Sequence, residues 1–279
     1  MKILHSIQEC KNWRASSSGS VGFVPTMGAL HLGHISLVKI SKENCKNTIV
    51  SIFINPAQFG PNEDLSLYPK TIDQDLKYLK QEGIDAVFIP TSNEIYNSKN
   101  DECFFDTPLS KKLEGITRPH FFKGVTMVVN KLFNIVMPTH VVFGQKDAQQ
   151  LIIIKKMIEN KNLPIKMLSG KTVRKNSGLA LSSRNSYLSK KDQNIASNIY
   201  KGLMQIKEML QKEITDANKL KDNFARFINS FAGFKIDYIS IANLNTLEEV
   251  KKVNGSVLIS TAVFFKNVRL IDNFTYSST

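Results

Sequence analysis

Cysteine is scarce in this 279-residue chain, and its placement excludes two common ways of cross-linking a small fold. The three cysteines, Cys10, Cys45 and Cys103, lie far apart and form no CxxC pair. A sparse, odd-numbered set of this kind argues against a disulfide framework and against a zinc site. A chain of this length can bury roughly three quarters of its unfolded surface without such help, so we expect three reduced thiols.

Long hydrophobic segments are also missing. No stretch reaches the roughly 18 apolar residues that a membrane-spanning helix needs. The longest apolar runs, such as 256–265, have the length of a strand, and residues 1–5 begin no apolar signal-peptide core. We therefore expect a cytoplasmic protein that has no membrane partner.

Acidic residues are outnumbered by basic ones. The chain has 24 Asp and Glu against 37 Lys and Arg, which gives a net charge of +13. Such an excess attracts polyanions, either a nucleotide or a nucleic acid. Because the lysines are scattered and form no dense basic run, the charge indicates a solvated surface. We expect no nucleic-acid partner.

Short apolar runs alternate with segments of helical periodicity over the first 170 residues. The strand-like runs are 21–25, 48–54, 86–89, 140–143 and 164–168. This alternation is typical of βαβ units, so we predict an α/β fold with a Rossmann-like parallel sheet and helices on both faces. Ligands of such sheets bind at the carboxyl ends of the strands.

A polar segment at 174–178 ends this alternation. Beyond it, two helical faces at 195–210 and 220–231 precede strand-like runs at 236–244 and 257–265. We therefore predict two domains. Residues 1–176 would form the Rossmann-like ligand-binding domain, and residues 177–279 a smaller C-terminal α+β lid domain.

The strongest motif is PTMGALHLGH at 25–34, between a strand and a helix. Gly28 and Gly33 let the backbone approach a ligand closely, and the helix start directs N–H groups and a positive dipole end at a phosphate. His31 and His34 can stabilise charge on a pentacoordinate α-phosphorus. The alternative is a metal pair or two surface histidines, but the strand-to-helix context favours nucleotide binding.

A second cluster, Asn55 and Gln58, follows the next strand. The amide of Gln58 can both donate and accept hydrogen bonds, which suits a hydroxy acid. The alternative is an ordinary Asn-Pro turn.

A third cluster, at 144–147, follows the strand at 140–143. Lys146 offers a point charge for phosphate, whereas Asp147 could simply cap the next helix. Gln150 lies one turn into that helix and could face the ligand.

A fourth cluster, Ser182, Ser183 and Arg184, lies in the predicted lid. Two hydroxyls and a guanidinium can hold a triphosphate, and lid closure would bring them onto it. The alternative is a plain turn in which a hydroxyl bonds the backbone.

Taken in order, the motifs resemble those of the pantoate–β-alanine ligase family, within the nucleotidylyltransferase superfamily. They are PTMGALHxGH (25–34), SIFxNPxQF (51–59), YPKT (68–71), FGxKD (143–147), QQL (149–151), LALSSRN (179–185) and RLIDN (269–273). The ordered set covers the chain from residue 21 to about 273. This order makes the resemblance far more specific than any one motif.

The resemblance implies an ATP-dependent ligase of pantothenate biosynthesis. The carboxylate of pantoate would attack the α-phosphate of Mg-ATP, giving pantoyl adenylate and pyrophosphate, and the amine of β-alanine would then displace AMP. A carboxylate is already ionised at neutral pH, so the first step needs orientation and charge stabilisation rather than a base. Family members are typically cytosolic homodimers, and Mg²⁺ would be carried on the phosphates with no metal site in the protein.

The resemblance also assigns residues to each role. Catalytic roles fall to His34, His31, Lys146, Ser182, Ser183 and Arg184. The nucleotide site would comprise Met27, Gly28, Ala29, Leu30, His31, Leu32, Gly33, His34, Gly144, Gln145, Lys146, Asp147, Val173, Leu181, Ser182, Ser183 and Arg184. The acid would be held by Gln58, Gln150 and Asn55.

Four positions depart from the family's pattern. His120 stands one residue before the usual histidine, and Gln145 replaces an acidic residue beside the pocket lysine. Ala57 and Ala148 replace larger side chains of the pocket wall. A second enzyme of the superfamily, a nucleotidylyltransferase acting on a phosphorylated substrate, would share the H-x-G-H motif but should lack the Gln58 and Gln150 pair.

Overall fold

The protein is described here by a computed structural model that covers residues 1–96 and 104–278. The chain forms two compact units. The first comprises Met1–Ser110, Arg118–Gln145 and Gln149–Thr172, and the second comprises Lys111–Thr117, Lys146–Ala148 and Val173–Thr279. Cys10 and Cys45 carry free thiols, and burial raises the pKa of Cys10 to about 12. Cys103 lies outside the described residues. The assignment of the two units as a binding domain and a lid stays a prediction.

The first unit is built on one six-stranded sheet, as far as the described residues go. Its strands are β1 (Lys2–Leu4), β2 (Val21–Thr26), β3 (Asn47–Ile52), β4 (Ala86–Phe88), β5 (His140–Gly144) and β6 (Lys166–Gly170). They pair in parallel in the order β1-β4-β3-β2-β5-β6. The predicted parallel sheet is confirmed.

Helices cover both faces of this sheet. They are α1 (Ile7–Ser16), α2 (Leu32–Asn44), α3 (Ile72–Gln81), α4 (Ser92–Tyr96), α6 (Phe121–Val136) and α7 (Ala148–Asn160); α5 (Glu114–Thr117) lies in the second unit. Alternate residues of each strand face opposite sides. Phe23 joins a core with α1, α6 and α7, and its neighbour Val24 joins a core with α2 and α3.

The order of the strands reverses direction between β2 and β5. From β2 the chain moves outward through β3 to β4, and from β5 it moves the other way to β6. In open parallel sheets the crevice at the carboxyl ends of such strands is where ligands bind. The segments after β2 and β5 are therefore the place to look for a site.

The second unit combines an antiparallel sheet with helices. Its strands are β7 (Phe234–Asn243), β8 (Ser256–Phe265) and β9 (Val268–Ser277), in that order. Its longer helices are α8 (Lys190–Ala196), α9 (Asn198–Gln211) and α10 (Ala217–Asn229). Leu203 and Phe224 pack with Ile259 in one core. The predicted α+β architecture is confirmed, but the single helical face predicted over 195–210 is wrong in detail, because Ser197 separates two helices.

Candidate active site

The segment between β2 and α2 places two imidazoles at the amino end of a helix. His31 is the cap residue of α2, and its Nδ1 accepts a hydrogen bond from the N–H of Gly33 at 3.1 Å. The Nδ1 of His34 accepts one from the N–H of His31 at 3.2 Å. The two ring centroids are 4.0 Å apart, so the H-x-G-H motif folds into one compact pair.

These hydrogen bonds fix which nitrogen carries the proton. A ring nitrogen that accepts an N–H bond holds no proton itself, so each neutral imidazole is protonated at Nε2. Both histidines can therefore donate from Nε2 to an anionic oxygen. Their bonding to the backbone sets the orientation from which they would do so.

The amino end of α2, which follows this segment, provides a positive electrostatic potential that favours an anion. α2 has 13 residues, and its first turn contains no acidic side chain. The amino end of such a helix carries the positive end of its dipole and N–H groups without helical partners. Phosphate is the ligand that these features favour.

Asn55 is buried just after β3 and makes four hydrogen bonds within the protein. Its Oδ1 accepts from the N–H of Ala57 at 3.2 Å and from the hydroxyl of Tyr96 at 2.5 Å. Its Nδ2 donates to Oε1 of Gln58 at 3.0 Å and to the carbonyl of Gly124 at 3.2 Å. These fill the donor and acceptor positions of its amide. Its predicted contact with the substrate stays a prediction.

The amide of Gln58 is oriented by this network. Because its oxygen accepts from Asn55, its nitrogen is turned the other way and lies 3.1 Å from Sδ of Met27. The structure thus brings Gln58 into contact with the first residue of the segment 27–34. Two of the four clusters predicted from the sequence meet at one edge of the sheet.

Arg118 holds the backbone of this second cluster. It donates to Glu63 at 2.6 and 2.5 Å and to the carbonyl of Gln58 at 3.2 Å. Burial alone would raise the pKa of the Glu63 carboxyl, but hydrogen bonds and charge from Arg118 hold that pKa below its usual range. The ring of Phe121, which stands at the family's histidine position, lies 3.9 Å from the guanidinium carbon.

His120 lies beside this ion pair, next to Glu63 and Gly60. Its Nε2 is 4.0 Å from Oε1 of Glu63, and a Cβ on Gly60 would lie 2.8 Å from its Cε1. The imidazole at 120 therefore contacts the Glu63 side of the pair, whereas the ring at 121 contacts the Arg118 side. Neither the sequence pattern nor the resemblance predicted which side of the ion pair each of these two rings contacts.

The segment after β5 supplies the remaining predicted residues of the first unit. Gly144 ends β5 and Gln145 follows it, with Nε2 donating to Oγ of Ser169 at 3.3 Å. Gln150 lies in the first turn of α7 and is half-buried. Since β5 pairs directly with β2, this segment starts beside the strand that carries the histidine motif.

In the second unit, Lys146 is held through its backbone. It lies in a short 3₁₀ helix (Gln145–Asp147), and its carbonyl accepts from Nδ2 of Asn273 at 2.7 Å. Its ammonium is 4.0 Å from Oδ1 of Asp147. The RLIDN motif, whose role the sequence left open, thus anchors the predicted phosphate lysine with its last residue.

The predicted triphosphate segment begins as a tight antiparallel turn. The N–H of Leu181 donates to the carbonyl of Val173 at 3.0 Å, and that of Lys175 donates to Leu179 at 2.9 Å. Gly178 turns the chain with φ +94°, a conformation that favours glycine. Val173 and Leu181, both assigned to the nucleotide by resemblance, are therefore neighbours in space.

An ion pair between the half-buried Arg174 and the buried Asp272 anchors this turn. Arg174 binds the carboxylate of Asp272 in a bidentate manner at 2.6 and 2.9 Å and donates to the carbonyl of Gly178 at 3.1 Å. Its guanidinium carbon lies 3.9 Å from the ring centre of Tyr200. Bidentate pairs fix geometry as well as charge, so β9 determines where the segment lies in this unit.

Ser182 caps the short 3₁₀ helix Ser183–Tyr187 that follows. Its Oγ accepts from the N–H of Arg184 at 3.3 Å, and Asn185 ties the helix back to Ala180 at 3.1 Å. The turn that the sequence offered as an alternative is therefore present. Phosphate binding by these side chains stays a prediction.

Outside these segments, the described residues include a surface cleft but no cluster of metal-binding side chains and no membrane-spanning helix. A surface cleft of about 540 Å³ opens at the amino ends of β1, β3 and β4, beside Lys2, Asn47 and Asp85, and holds none of the predicted site residues. Across residues 1–96 and 104–278, no group of three or more His, Cys, Asp or Glu side chains could hold a metal ion. No helix in that part of the chain is long and apolar enough to cross a membrane.

Comparison with known proteins identifies the family. A family model described as pantoate–beta-alanine ligase matches residues 2–275. A pantothenate synthetase of Fervidobacterium nodosum is 44% identical over 277 residues, covering 98% of each chain. A pantothenate synthetase structure from Thermus thermophilus superposes with a TM-score of 0.93 at 34% identity, covering 98% of this chain and 99% of that one.

A second solved structure carries ligands. It is the pantoate–beta-alanine ligase of Francisella tularensis, complexed with beta-gamma ATP and beta-alanine, with a TM-score of 0.80, 35% identity and coverage of 98% of this chain and 97% of that one. The family and the ligase class predicted from the ordered motifs are confirmed by these matches. This chain belongs to the pantoate–β-alanine ligase family.

Proposed function

We propose that the chain condenses (R)-pantoate with β-alanine at the expense of ATP, through a pantoyl adenylate, releasing AMP and pyrophosphate. Family membership supports the reaction, and the Francisella relative was solved with beta-gamma ATP and beta-alanine. The observation that carries the proposal is the 3.1 Å contact between Nε2 of Gln58 and Sδ of Met27. An acid held by Gln58 would lie beside a nucleotide held by the segment 27–34.

The first half-reaction needs charge stabilisation more than proton transfer. A carboxylate oxygen of pantoate attacks the α-phosphorus, and the bond from that phosphorus to the bridging oxygen of pyrophosphate breaks. Negative charge grows on the phosphoryl oxygens meanwhile. Nε2–H donors of His31 and His34 and the amino end of α2 are suited to this charge, because they are oriented before the substrates arrive.

The second half-reaction forms the amide. The amine of β-alanine, after losing one proton, attacks the acyl carbon, and the bond from carbon to the AMP oxygen breaks. The nitrogen loses a second proton as the amide forms. Gln58, whose amide is bonded by Asn55 and whose carbonyl is bonded by Arg118, would keep the acyl group in position during both steps.

The remaining residues are proposed in supporting roles. Lys146, Ser182, Ser183 and Arg184 would neutralise the triphosphate, Gln150 would share the pantoate with Gln58, and Asn55 would line the pocket. The nucleotide would also contact Met27, Gly28, Ala29, Leu30, Leu32, Gly33, Gly144, Gln145, Asp147, Val173 and Leu181.

The nucleotide would enter as its magnesium complex, since Mg²⁺ is usually held by substrate phosphates and water rather than by an all-protein cage. We further propose a cytoplasmic homodimer with no nucleic-acid partner, as the family resemblance implies.

The test is ATP–pyrophosphate exchange with magnesium and pantoate, in the absence of β-alanine. Exchange that depends on pantoate would establish the adenylate step, and added β-alanine should then release AMP. If folded protein that binds ATP gives no exchange, the proposal fails. A nucleotidylyltransferase acting on a phosphorylated acceptor would then be the better interpretation, although the amide pair Gln58 and Gln150 suits a neutral hydroxy acid better than a phosphate.

A further inference from the structure

A buried carboxylate from another part of the chain grips the backbone of the histidine segment. Asp75, in the first turn of α3, is 1% exposed. Its Oδ2 accepts from the N–H of Ala29 at 2.9 Å, and its Oδ1 accepts from the N–H of Leu30 at 2.8 Å. The hydroxyl of Thr71 donates to Oδ1 at 3.2 Å. Neither Asp75 nor a role for Thr71 was predicted from the sequence.

The backbone that Asp75 holds is in an uncommon conformation. Gly28 has φ +79°, and Ala29, a residue with a Cβ, has φ +49°. Side chains rarely adopt this left-handed region without support from their surroundings. A Cβ on Gly28 would also lie 3.0 Å from Cγ2 of Ile52 and 3.1 Å from Oδ2 of Asp75, so the turn and the carboxylate fit closely.

Consecutive N–H groups in such a turn form a concave anion-binding nest. Here the protein's own carboxylate fills the nest formed by Ala29 and Leu30. The next residue is His31, whose N–H bonds to His34 and whose ring caps α2. The direction in which the chain leaves the nest therefore determines where both imidazoles and the start of α2 lie.

The hydrogen bonds at position 75 require a carboxylate rather than an amide. Burial raises the pKa of Asp75, although the N–H groups of Leu30 and Ala29 oppose that rise. Asparagine would be easier to bury, but it has one acceptor oxygen and would turn an NH₂ group towards one of the two N–H donors. Only a carboxylate accepts from both N–H groups and from Thr71 at once.

We propose that Asp75 is a positioning residue for the nucleotide segment 27–34, acting through the backbone of Ala29 and Leu30 and not through contact with substrate. This role rests on the proposed function of that segment. Gln58 contacts this segment at Met27, but its amide oxygen and its backbone carbonyl are held from outside the segment, by Asn55 and Arg118. Loss of the grip should therefore disturb the nucleotide while leaving the acid's affinity intact.

The deciding experiment compares Asp75→Asn with Asp73→Asn in the full-length protein. Asp73 lies in the same helical turn but is exposed, so it receives the same chemical change without the contacts. In pantoate-dependent ATP–pyrophosphate exchange, Asp75→Asn should lower kcat/KM for ATP on the order of 100-fold, as a small misplacement of catalytic groups does. The KM for pantoate should stay within about twofold of the Asp73→Asn value.

Hydrogen–deuterium exchange gives a readout without catalysis. Asp75→Asn should lose amide protection at residues 29–31 while the strands keep theirs. Equal ATP kinetics in the two variants would overturn the proposal. So would a parallel loss for ATP and pantoate together with general loss of protection, because that is the result of a merely structural role.

Two further measurements test the role of Asp75 if Asp75→Asn does not fold or if the wild-type protein shows no exchange. Should Asp75→Asn not fold, Thr71→Val removes one donor to the carboxylate and should lower kcat/KM for ATP several-fold in the same direction; no change would count against the proposal. If wild type shows no pantoate-dependent exchange, the proposed function has failed. Calorimetric titration with ATP then decides on Asp75 alone, through weaker binding by Asp75→Asn than by Asp73→Asn.

Discussion

The two units hold their predicted ligand-binding segments by different interactions. In the first unit, the histidine pair is fixed by bonds between imidazole nitrogens and backbone N–H groups, and Gln58 is fixed by the amide of Asn55. In the second unit, the turn that carries the serines is held by the ion pair of Arg174 with Asp272. The two imidazoles and the side-chain amide of Gln58 thus have neutral groups as their direct hydrogen-bonding partners, whereas the turn that carries the serines is held by a pair of opposite charges.

A second network in the same unit also pairs an arginine with carboxylates. Arg269 binds Glu114 at 2.5 and 3.0 Å and Asp237 at 3.0 and 2.6 Å. Burial alone would lower the pKa of Arg269, but the hydrogen bonds and charges of these carboxylates raise it. The hydroxyl of Tyr238 also contacts Glu114, at 3.3 Å.

The difference has a physical reason. An imidazole must keep a defined protonation state, which neutral backbone partners set without adding charge nearby. A buried charge whose partner is removed is strongly destabilising, whereas loss of one neutral bond costs much less. Removing one charge from the second unit should therefore affect folding most, and changes at the histidine segment should affect catalysis most.

The largest effect expected is from Asp272→Ala. It leaves the half-buried Arg174 without its carboxylate; the two side chains are 18% and 5% exposed in the pair. The free energy of unfolding should fall by about 3–5 kcal/mol, measured by urea denaturation followed by circular dichroism. Asp222→Ala is the matched control, since Asp222 is exposed on α10. Similar losses in both variants would remove the distinction between the two units.

His34→Ala comes next, and its effect should be on rate rather than on stability. Loss of one oriented donor to a developing charge lowers a rate about 100-fold or more, or roughly 2.7 kcal/mol. Single-turnover formation of adenylate from ATP and pantoate measures this directly. His5→Ala, at an exposed position, should behave as wild type. An adenylation rate unchanged in His34→Ala would exclude the imidazole from the chemistry.

Gln58→Ala should have a smaller effect, confined to the acid. The KM for pantoate should rise about tenfold, the order expected for loss of a hydrogen bond to a bound polar group, while ATP still binds. Asn55→Ala should reproduce part of this rise, because Asn55 orients the Gln58 amide, and the exposed Asn62→Ala should not. A change limited to ATP affinity in Gln58→Ala would contradict the assignment.

The central elements of the first unit could be predicted because their signals are local. Short apolar runs in β2, β3 and β5, with glycine or proline close to their ends, marked the strands, and the histidine motif lies where such a sheet binds ligands. Three other elements, β1, α1 and β9, escaped prediction. β1 has three residues, α1 is more polar than a typical buried helix, and β9 takes its position from pairing with β8, which no local pattern reveals.

The supporting residues of the site could not be predicted for a related reason. Asp75, Tyr96 and Asp272 lie far along the chain from the groups they hold, with separations of 45, 41 and 98 residues. Nothing in their own segments marks them as more than surface or turn residues. The motifs YPKT and RLIDN pointed to these regions without a mechanism. Their contacts supply one: Thr71 bonds Asp75, and Asp272 bonds Arg174.

The smallest expected effect concerns the ion pair at the acid-binding segment. Arg118 and Glu63 are 14% and 25% exposed, so the Glu63 carboxylate is less buried than that of Asp272, and solvent screens the pair more. At pH 7 Glu63→Gln should lower the free energy of unfolding by only about 1 kcal/mol, near the upper end for pairs that water reaches.

The sign of the pH dependence follows from the lowered pKa of Glu63. A depressed carboxyl pKa stabilises the folded state above its ordinary value, near 4.5, and this contribution is lost as pH falls through the lower, folded-state pKa. The difference between wild type and Glu63→Gln should therefore be present at neutral pH and be lost as the pH falls through the folded-state pKa of Glu63, which lies below its ordinary value. Glu43→Gln, at an exposed position on α2, is the control. A difference that persisted at low pH would mean that Glu63 contributes by packing rather than by charge, and the first unit would then owe still less to ion pairs than the second.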